Sequence, residues 1–457
     1  MSTTLEHTRY ALRAGVTCLT IPGGAMLLNP PHNQKLTGLA AAQIQALKTL
    51  NRGPSTVREM TGGLASAEVT ALMERLAGGG WLAVTVRDGD RDLYTLRPFA
   101  APPVRPATAS SPAVLSKFTM MHRDSEGLVL EHPTSWCDIR IHDPRLLALA
   151  AGADAAELGL LEHISTQLAA DLRWSGLTLA DPAAEDATFT TRSWSAPDLW
   201  FHRRSTLGPR TVTWDHFGPT KWAKPQFPVP PARKPAYPAA PIALPVPDLA
   251  ALRTADPSLT AVLEDRRSHR AFDDANPVTL DQLAELLYRT VRTRSVEITP
   301  DGEELPSRPY PSGGSVHELE LYPVVRHVAG LPPGMYHYDS FDHALRLIAP
   351  ADSLAVKRLL KTTSATLAEA AEPQLVLLMG ARAGRVMWGY EQVAYANILK
   401  HVGVLMQTLY LAATAMGLGA VAQGFSDTAA FTTAAGVNEL EECNVGSLIL
   451  GSVSRSS

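Results

Sequence analysis

Residues 391–416 constrain the fold more than any other stretch, because they predict a long helix without a polar face. Apolar side chains fall on nearly every side of it: Val393, Ala394, Ile398, Leu399, Val402, Leu405, Met406, Leu409 and Leu411. A helix that is apolar around its circumference has to be buried on all sides. The sequence therefore predicts a central helix with a sizeable domain packed around it.

The size and composition of the chain predict a soluble protein of several domains. At 457 residues it is too long for one ordinary domain, so roughly two to four are expected. A hydrophobic content of 45% favours a packed chain, and a net charge of −4 offers no attraction to nucleic acid or an anionic membrane. No apolar window approaches the roughly 20 residues of a membrane span, so we expect no membrane segment.

The cysteines and the N-terminus favour a reducing location. Cys18, Cys137 and Cys443 lie far apart and form no paired spacing, so neither a structural zinc nor a disulfide scaffold is expected. The N-terminus lacks a basic start followed by an apolar core, so we expect no signal peptide. We predict a cytoplasmic protein without a metal site.

Residues 1–100 have the element order of a winged helix, three helices followed by a hairpin. The helices are predicted at 39–50, 56–60 and 66–76 and the strands of the hairpin at 81–86 and 92–96, and one or two further strands are expected within 9–19. The third helix carries Arg75 against Glu68 and Glu74, so it lacks the basic face that DNA requires. A peptide-binding winged helix fits better, and the segment resembles the precursor-recognition domains of enzymes that modify ribosomal peptides, which add an extended leader as a strand to a sheet edge. A purely structural domain is the alternative.

Residues 114–215 predict a second, winged-helix-like accessory domain after a linker rich in Ala, Pro and Ser. Strands are expected within 118–141, and helices from 142 onward and over 154–172. Residues 216–248 carry proline at nearly every third position and predict an extended connector, because proline fixes φ and removes a hydrogen-bond donor. The last domain follows at 249–457, and helices are predicted near its start over 248–264 and 280–290.

Four polar residues near the start of this last domain predict a phosphate site. They are Arg266, Arg267, Ser268 and Arg270, here called the arginine cluster. A guanidinium pairs with phosphate oxygens at two points, and a hydroxyl adds a further donor. The alternative is a solvated, basic helix end.

Turns of small residues occur on both sides of the apolar helix. The first, here called the glycine turn, comprises Pro311, Ser312, Gly313, Gly314 and Ser315. The second contains Gln423 and Gly424. Backbone N–H groups can approach a flat ligand closely where no Cβ intervenes. Together the turns predict the borders of such a site, although each alone could be an ordinary loop.

These features resemble the FMN-dependent nitroreductases, and within them the SagB/ThcOx-type dehydrogenases that oxidise azolines in ribosomal peptide natural products. The resemblance rests on residues 310–320, which read YPSGGSVHELE, and on 388–395, which read WGYEQVAY. It implies an α+β fold with a nitroreductase-like FMN domain at the C-terminus, preceded by two small winged-helix-like α/β domains. It also implies a homodimer with the apolar helix at its centre and FMN sites across the subunit boundary; burial of that helix within one subunit is the alternative.

The resemblance further implies a role for each predicted site residue. The arginine cluster would bind FMN, with Arg266 and Ser268 at the phosphate. Arg270 would lie beside ring N1 and O2, where a cation stabilises the reduced flavin. The glycine turn would pass along the isoalloxazine, and the backbone at Gln423 and Gly424 would face N5. Arg455 corresponds to a basic residue that the family often keeps for the phosphate.

Oxidation of an azoline also needs a base, because one hydrogen leaves as a hydride and the other as a proton. SagB-type enzymes typically have Lys-Tyr just before the central helix, and here that pair is Gly389-Tyr390. Tyr390 is therefore the candidate base, and a packing tyrosine is the alternative. Lys400 and His401 follow about three turns later on the helix, so we expect them to lie too far away to replace the lysine.

The sequence thus predicts an FMN-dependent azoline dehydrogenase that acts on a leader-bearing precursor peptide, with a cyclodehydratase as a candidate partner. An NAD(P)H-dependent nitroreductase or quinone reductase for small molecules is the alternative, but it does not need a long N-terminal half. A third hypothesis is a peptide-binding protein whose flavin fold is a relic. The intact Arg266, Ser268 and Gly424 argue against it.

Overall fold

The computed structural model describes residues 8–30, 32–106, 114–368 and 371–453. The chain divides into two compact units, Met1–Phe217 and Gly218–Ser457. The strands of the first unit are β1 Arg9–Leu12, β2 Thr17–Ile21, β3 Gly24–Asn29, β4 His32–Thr37, β5 Ser55–Thr56, β6 Leu82–Asp88, β7 Arg91–Pro98, β8 Val114–Leu115, β9 Met120–Asp124, β10 Gly127–Glu131, β11 Cys137–Ile141 and β12 Thr178–Leu179. Its helices are α1 Ala41–Leu50, α2 Val57–Met60, α3 Ala67–Gly78, α4 Arg145–Ala150, α5 Glu162–Trp174, α6 Phe189–Arg192 and α7 Ala196–Arg204.

Seven strands of the first unit form one antiparallel sheet in the order β5-β1-β6-β7-β11-β10-β9. β7 is the second strand of the predicted hairpin, and it pairs with β11, so that Leu96 lies opposite Ile139. The segments predicted as separate domains therefore contribute to a single sheet. Their description as two winged-helix-like domains stays a prediction.

Local capping explains the elements that the sequence located well. α3 begins after Ser66, whose side chain accepts a hydrogen bond from the Val69 N–H. α5 begins at Glu162 and not at 154, where the sequence prediction was wrong, because Gly159 has a left-handed φ of 61° that interrupts the helix. The three-stranded sheet β2-β3-β4 was also missed, since the sequence predicted strand only near residues 9–19.

The second unit is built on a seven-stranded sheet in the order β13-β18-β17-β16-β19-β21-β20, and every pairing in it is antiparallel. The strands of this unit are β13 Ile242–Ala243, β14 Ser295–Ile298, β15 Glu304–Ser307, β16 Leu319–Val325, β17 Gly334–Asp339, β18 Ala344–Pro350, β19 Leu375–Ala381, β20 Leu418–Gln423 and β21 Cys443–Ser452. Its helices are α8 Leu249–Ala255, α9 Leu259–Asp265, α10 Leu280–Thr290, α11 Leu354–Ser364, α12 Ala383–Gly389, α13 Ala394–Ala415 and α14 Thr428–Ala435.

α13, the predicted central helix, lies in the core of the second unit, but one side of it is open. Ile398, Leu405 and Leu409 are completely buried. The residues exposed at intervals of four, here called the exposed stripe, are Tyr395, Leu399, Gly403 and Gln407. Residues four apart lie on one side of a helix. The sequence predicted that this helix is buried on all sides, and within one chain it is not.

By length and composition alone, α13 could also cross a membrane, since it has 22 residues. The prediction that no segment approaches this length was wrong. Core packing also explains why α13 is apolar, because the helix packs against β20, β21 and α10.

The Pro-rich connector contains no helix between residues 218 and 241, all of which the structure describes. It is anchored to the second unit, where Arg233 pairs with Asp339 at 2.7 Å and Lys234 Nζ lies 2.7 Å from the Tyr322 hydroxyl. The helix predicted over 248–264 is two helices, α8 and α9, because Pro257 cannot continue a helix.

Candidate active site

The arginine cluster follows α9 and runs beside β20. Ser268 forms a bridge to Ala420, and the His269 N–H donates to the Ala420 carbonyl at 3.0 Å. Ser268 Oγ lies 3.1 Å from the hydroxyl of Tyr410 on α13, and the Arg266 guanidinium lies 5.4 Å from the centre of that ring. Tyr410 therefore brings Arg266 and Ser268 together near the end of α13.

The other two guanidinium groups of the cluster are exposed to solvent. Arg267 Nε lies 3.4 Å from His269 Nε2, and burial followed by the charge of Arg267 lowers the pKa of His269. The Arg270 side chain forms no hydrogen bond or ion pair with any residue that the structure describes. A guanidinium that lacks a partner in the described part of the chain, two residues from Ser268, is available to an anion.

The glycine turn is held by His401 of α13. The Gly313 N–H donates to His401 Nε2 at 2.7 Å, and His401 Nδ1 lies 2.8 Å from Glu318 Oε1. Because Nε2 accepts a hydrogen bond, the ring proton is on Nδ1 and is donated to the Glu318 carboxylate. Glu318 is completely buried, so His401 partners a charge that water cannot reach. The neutral imidazole is thereby fixed in one tautomer.

The backbone of the glycine turn is strained. Gly314, Ser315 and His317 have φ values of 62°, 53° and 46°, and two of them carry side chains that disfavour this region. Ser312 Oγ accepts the His317 N–H at 3.1 Å and so closes the turn. A strained turn persists only where its surroundings fix it, and the hydrogen bond from the turn to His401 contributes to this.

The hydroxyl of Tyr390 lies against the glycine turn. A Cβ added to Gly314 would stand 3.0 Å from this hydroxyl. A Cβ added to Gly313 would stand 3.8 Å from it and 3.3 Å from His401 Nε2. Tyr390 follows α12, where its N–H donates to the Val386 carbonyl at 2.9 Å. The candidate base and the turn predicted to border the flavin therefore meet.

The prediction that His401 lies too far along the helix from Tyr390 was wrong. α13 begins only at Ala394, so Tyr390 is outside it and a number of helical turns does not measure their separation. The sequence reasoning also missed Glu318. The available signal was a charged residue directly before the fully buried strand β16.

Buried titratable groups surround the base of the turn. Burial, and then the Arg308 guanidinium, lower the pKa of His317 to about 3. Burial raises the pKa of Tyr310 to about 12 and lowers the pKa of Arg385 to about 10. At neutral pH His317 is therefore uncharged, while Arg385 keeps its charge.

The second predicted turn follows the end of β20. The Gln423 side chain donates to the Thr363 carbonyl at 3.1 Å and accepts from Ser447 Oγ at 2.8 Å, so it serves the fold and leaves only backbone for a ligand. Gly424 is exposed, and a Cβ added to it would meet nothing within 4 Å. Arg455 lies outside the described residues.

The two groups of site residues lie on opposite sides of α13. His401 contacts the glycine turn, and Tyr410 contacts the arginine cluster. They are nine residues apart, which is about 2.5 helical turns. By the same geometry, Gly403 of the exposed stripe is about two turns from Tyr410 and on its side of the helix. Within one chain the structure therefore assembles each half of the predicted site but does not bring the halves together.

The donors present are suited to FMN. Two guanidinium groups and a hydroxyl in the arginine cluster match a phosphate, and Arg270 is without a partner among the described residues. At Gly314 the Tyr390 hydroxyl crowds the place that a Cβ would occupy, whereas at Gly424 that place is open. The chain thus offers donors for an anion and backbone without side chains, and these features fit the phosphate and the flat ring of FMN.

Two protein-family models match the chain. The nitroreductase family model matches residues 263–452, and the model of the cyanobactin oxidase ThcOx matches residues 113–211. A protein named as a nitroreductase in Methanocaldococcus jannaschii is 28% identical over 181 residues, which are 39% of this chain and 81% of that protein. The trifolitoxin-processing protein TfxB of Rhizobium leguminosarum bv. trifolii is 31% identical over 147 residues, 31% of this chain and 39% of that protein.

Solved structures show a more limited likeness. A nitroreductase-type structure from Anabaena variabilis has 21% identity and a TM-score of 0.40, covering 55% of this chain and 45% of that one. The microcin synthetase McbBCD complex from E. coli has 17% identity and a TM-score of 0.34, covering 46% of this chain and 84% of that one. With scores this low, nothing about function follows from them.

The two family matches fall on the two units of the fold. The nitroreductase match contains the arginine cluster, the glycine turn and α13, and the ThcOx match contains the part of the first unit from β8 to α7. The ThcOx match separates the chain from nitroreductases that lack an N-terminal half. The chain is an oxidoreductase with a nitroreductase-family domain, and the two matches together support a SagB/ThcOx-type protein of the nitroreductase superfamily.

Proposed function

We propose that this oxidoreductase converts thiazolines or oxazolines of a ribosomally made peptide to thiazoles or oxazoles, with FMN as cofactor and oxygen reoxidising the flavin. The observation that carries the proposal is the meeting of Tyr390, the glycine turn and a neutral His401. A peptide substrate is supported by the match to an oxidase named for cyanobactins and by the relative named for trifolitoxin processing.

The proton that leaves the azoline needs an acceptor, and Tyr390 has its hydroxyl at the glycine turn. When bound, FMN supplies the acceptor for the hydride. The side chain expected beside the tyrosine in this family is missing at Gly389. His401 reaches the same turn from α13, so an imidazole lies at the turn that the Tyr390 hydroxyl contacts. Its bond to Gly313 keeps the turn against Tyr390.

The arginine cluster is proposed to hold the FMN phosphate through Arg266, Ser268 and Arg270. Arg266 and Ser268 are already oriented by Tyr410, so binding costs little side-chain entropy. Arg267 adds positive charge from an exposed position.

We propose a homodimer in which each FMN takes the arginine cluster from one chain and the glycine turn from its partner. Two observations support it. The two halves lie on opposite sides of α13, and the exposed stripe leaves an apolar part of that helix open, with Tyr395 and Leu399 about 40% exposed. A second copy packed on the stripe would bury these side chains and approach the arginine cluster.

The first unit is proposed to recognise the leader of the precursor peptide. The edge of β7 is not available for this, because β11 already pairs with it. Among the described strands β9 and β5 end the sheet, and β9 is the longer. A cyclodehydratase partner and a cytoplasmic location belong to the same proposal.

An NAD(P)H-dependent reductase is the second candidate, favoured by the relative named as a nitroreductase. The two functions differ in the electron donor. Rapid anaerobic bleaching of the flavin by NADPH supports the reductase, whereas bleaching by an azoline-bearing peptide supports the dehydrogenase.

The test of the proposed function is a single anaerobic turnover with an azoline-bearing peptide, followed at the flavin absorbance. Tyr390→Phe keeps the ring and deletes the hydroxyl, so the variant should fold and hold FMN but reduce the flavin at least about a hundredfold more slowly. An unchanged rate would make Tyr390 a packing residue. No reaction of the wild type with any azoline would defeat the proposal itself.

A further inference from the structure

A small pocket in the first unit is lined by arginine side chains and takes no part in the site described above. It lies between the turn that joins β10 to β11 and the segment that follows α7, and its volume is about 70 Å³. Its lining includes Phe99, Trp200, Arg203, Arg204 and Arg210. The ThcOx match covers all of these residues except Phe99.

Two of the guanidinium groups have their orientation fixed by the protein. Arg210 lies 4.3 Å from the ring centre of Phe99, and its Nη1 pairs with Asp138 at 2.6 Å. The Arg204 guanidinium lies 5.2 Å from the ring centre of Trp200 and pairs with Glu131 through Nη2. A ring against one surface and a carboxylate at one edge leave such a group little rotamer freedom to lose on binding.

Donors and charge remain unused in this pocket. Arg210 Nη2 is buried and has no hydrogen-bond partner in the part of the chain that the structure describes. Arg203 is exposed and pairs with none of those residues. A buried donor without an acceptor costs free energy that a ligand can recover. Three guanidinium groups and two carboxylates, Glu131 and Asp138, also leave one positive charge in excess.

We infer that this pocket binds one carboxylate side chain, glutamate or aspartate, of an extended peptide. Since one water needs roughly 10–15 Å³ of such volume, 70 Å³ holds about five non-hydrogen atoms, the size of a glutamate side chain. A carboxylate presents two oxygens to a guanidinium and brings the single negative charge that balances the excess. That the peptide is the precursor substrate rests on the proposed function.

A phosphate is the competing source of anionic oxygens, but its charge of about −1.5 to −2 exceeds what the pocket leaves unbalanced. Inorganic phosphate is therefore one arm of the test. The main probes are two terminally blocked pentapeptides that differ only in a central glutamate or glutamine.

The experiment measures binding of both peptides to the full-length protein by calorimetry, without turnover. We expect the glutamate peptide to bind at least about tenfold more tightly than the glutamine peptide, and Arg203→Ala to remove most of this difference. Arg192→Ala is the matched control, because Arg192 is also an exposed arginine of the first unit, and it should leave binding unchanged. Added salt should weaken only the glutamate peptide.

Equal binding of the two peptides, no binding of either, or an unchanged preference in Arg203→Ala would overturn the inference. Displacement of the peptide by inorganic phosphate at far lower concentration than by acetate would also overturn it, in favour of a phosphate site. Because no flavin chemistry enters this assay, a protein that binds the glutamate peptide but oxidises no azoline would refute the proposed function and leave the pocket assignment standing.

Discussion

His401 makes two hydrogen bonds with different expected consequences, and two substitutions can separate them. The amide of glutamine reaches the place of Nε2, so His401→Gln keeps an acceptor for the Gly313 N–H and loses the donor to Glu318. The amide of asparagine reaches the place of Nδ1, so His401→Asn keeps a donor to Glu318 and releases Gly313. Each variant therefore breaks one of the bonds of 2.7 and 2.8 Å.

The structure predicts opposite ranks for stability and turnover. His401→Gln leaves the completely buried Glu318 carboxylate without its donor, which costs about 1.5–3 kcal/mol of the free energy of unfolding, the range for a hydrogen bond to a charged group. His401→Asn frees one N–H of the half-buried Gly313, where water can replace the acceptor, so the cost is about 1 kcal/mol. Release of the strained glycine turn should instead slow turnover, by about a hundredfold if the turn shifts by about 1 Å.

Urea unfolding and single-turnover flavin reduction measure the two quantities on the same preparations. We expect His401→Gln to be the less stable variant and His401→Asn the slower one. If one variant is worse in both assays, His401 acts only as a structural residue. If neither loses turnover, the glycine turn does not need its bond to α13.

Three further predictions concern the cofactor, the assembly and pH. Arg266→Ala should weaken FMN binding by about 1.5–3 kcal/mol. Arg253→Ala, at an exposed arginine on α8, should leave FMN binding unchanged. Full flavin occupancy in Arg266→Ala would show that Arg266 does not bind the phosphate. Leu399→Glu on the exposed stripe should convert the dimer to a monomer, measured by light scattering, and should release FMN, measured by absorbance. Leu354→Glu, at an exposed leucine on α11, should do neither. A monomer that keeps FMN would contradict the shared site. The pKa of His317 is about 3 in the folded protein and near 6.5 in the unfolded chain, so between these values the unfolded chain binds one more proton. The contribution of His317 to stability is therefore complete above pH 6.5. It falls as the pH drops towards 3, by a few kcal/mol at most. His317→Asn suits the left-handed backbone and does not titrate, so it should flatten this part of the pH profile, and an unchanged profile would assign the loss to other groups.

Much of the fold could be predicted from short-range signals. α10 begins and ends where the sequence indicated, because Thr279 and Gln282 form a capping box that needs only neighbouring residues. The apolar pattern of 391–416 likewise located a core helix, and the small residues of the glycine turn marked a backbone with positive φ. In these cases the physical cause, a cap, a helical period or a missing Cβ, lies within a few residues.

Tertiary structure alone decided how distant segments meet. His401 and Gly313 are 88 residues apart, and the bond between them exists because α13 and the chain before β16 pack on the same sheet. The pairing of β7 with β11 likewise depends on two segments on either side of a linker, and alternation within each strand does not specify its neighbour. Even for α13, periodicity indicated burial but not which side stays open, because that depends on where the sheet and the other helices end.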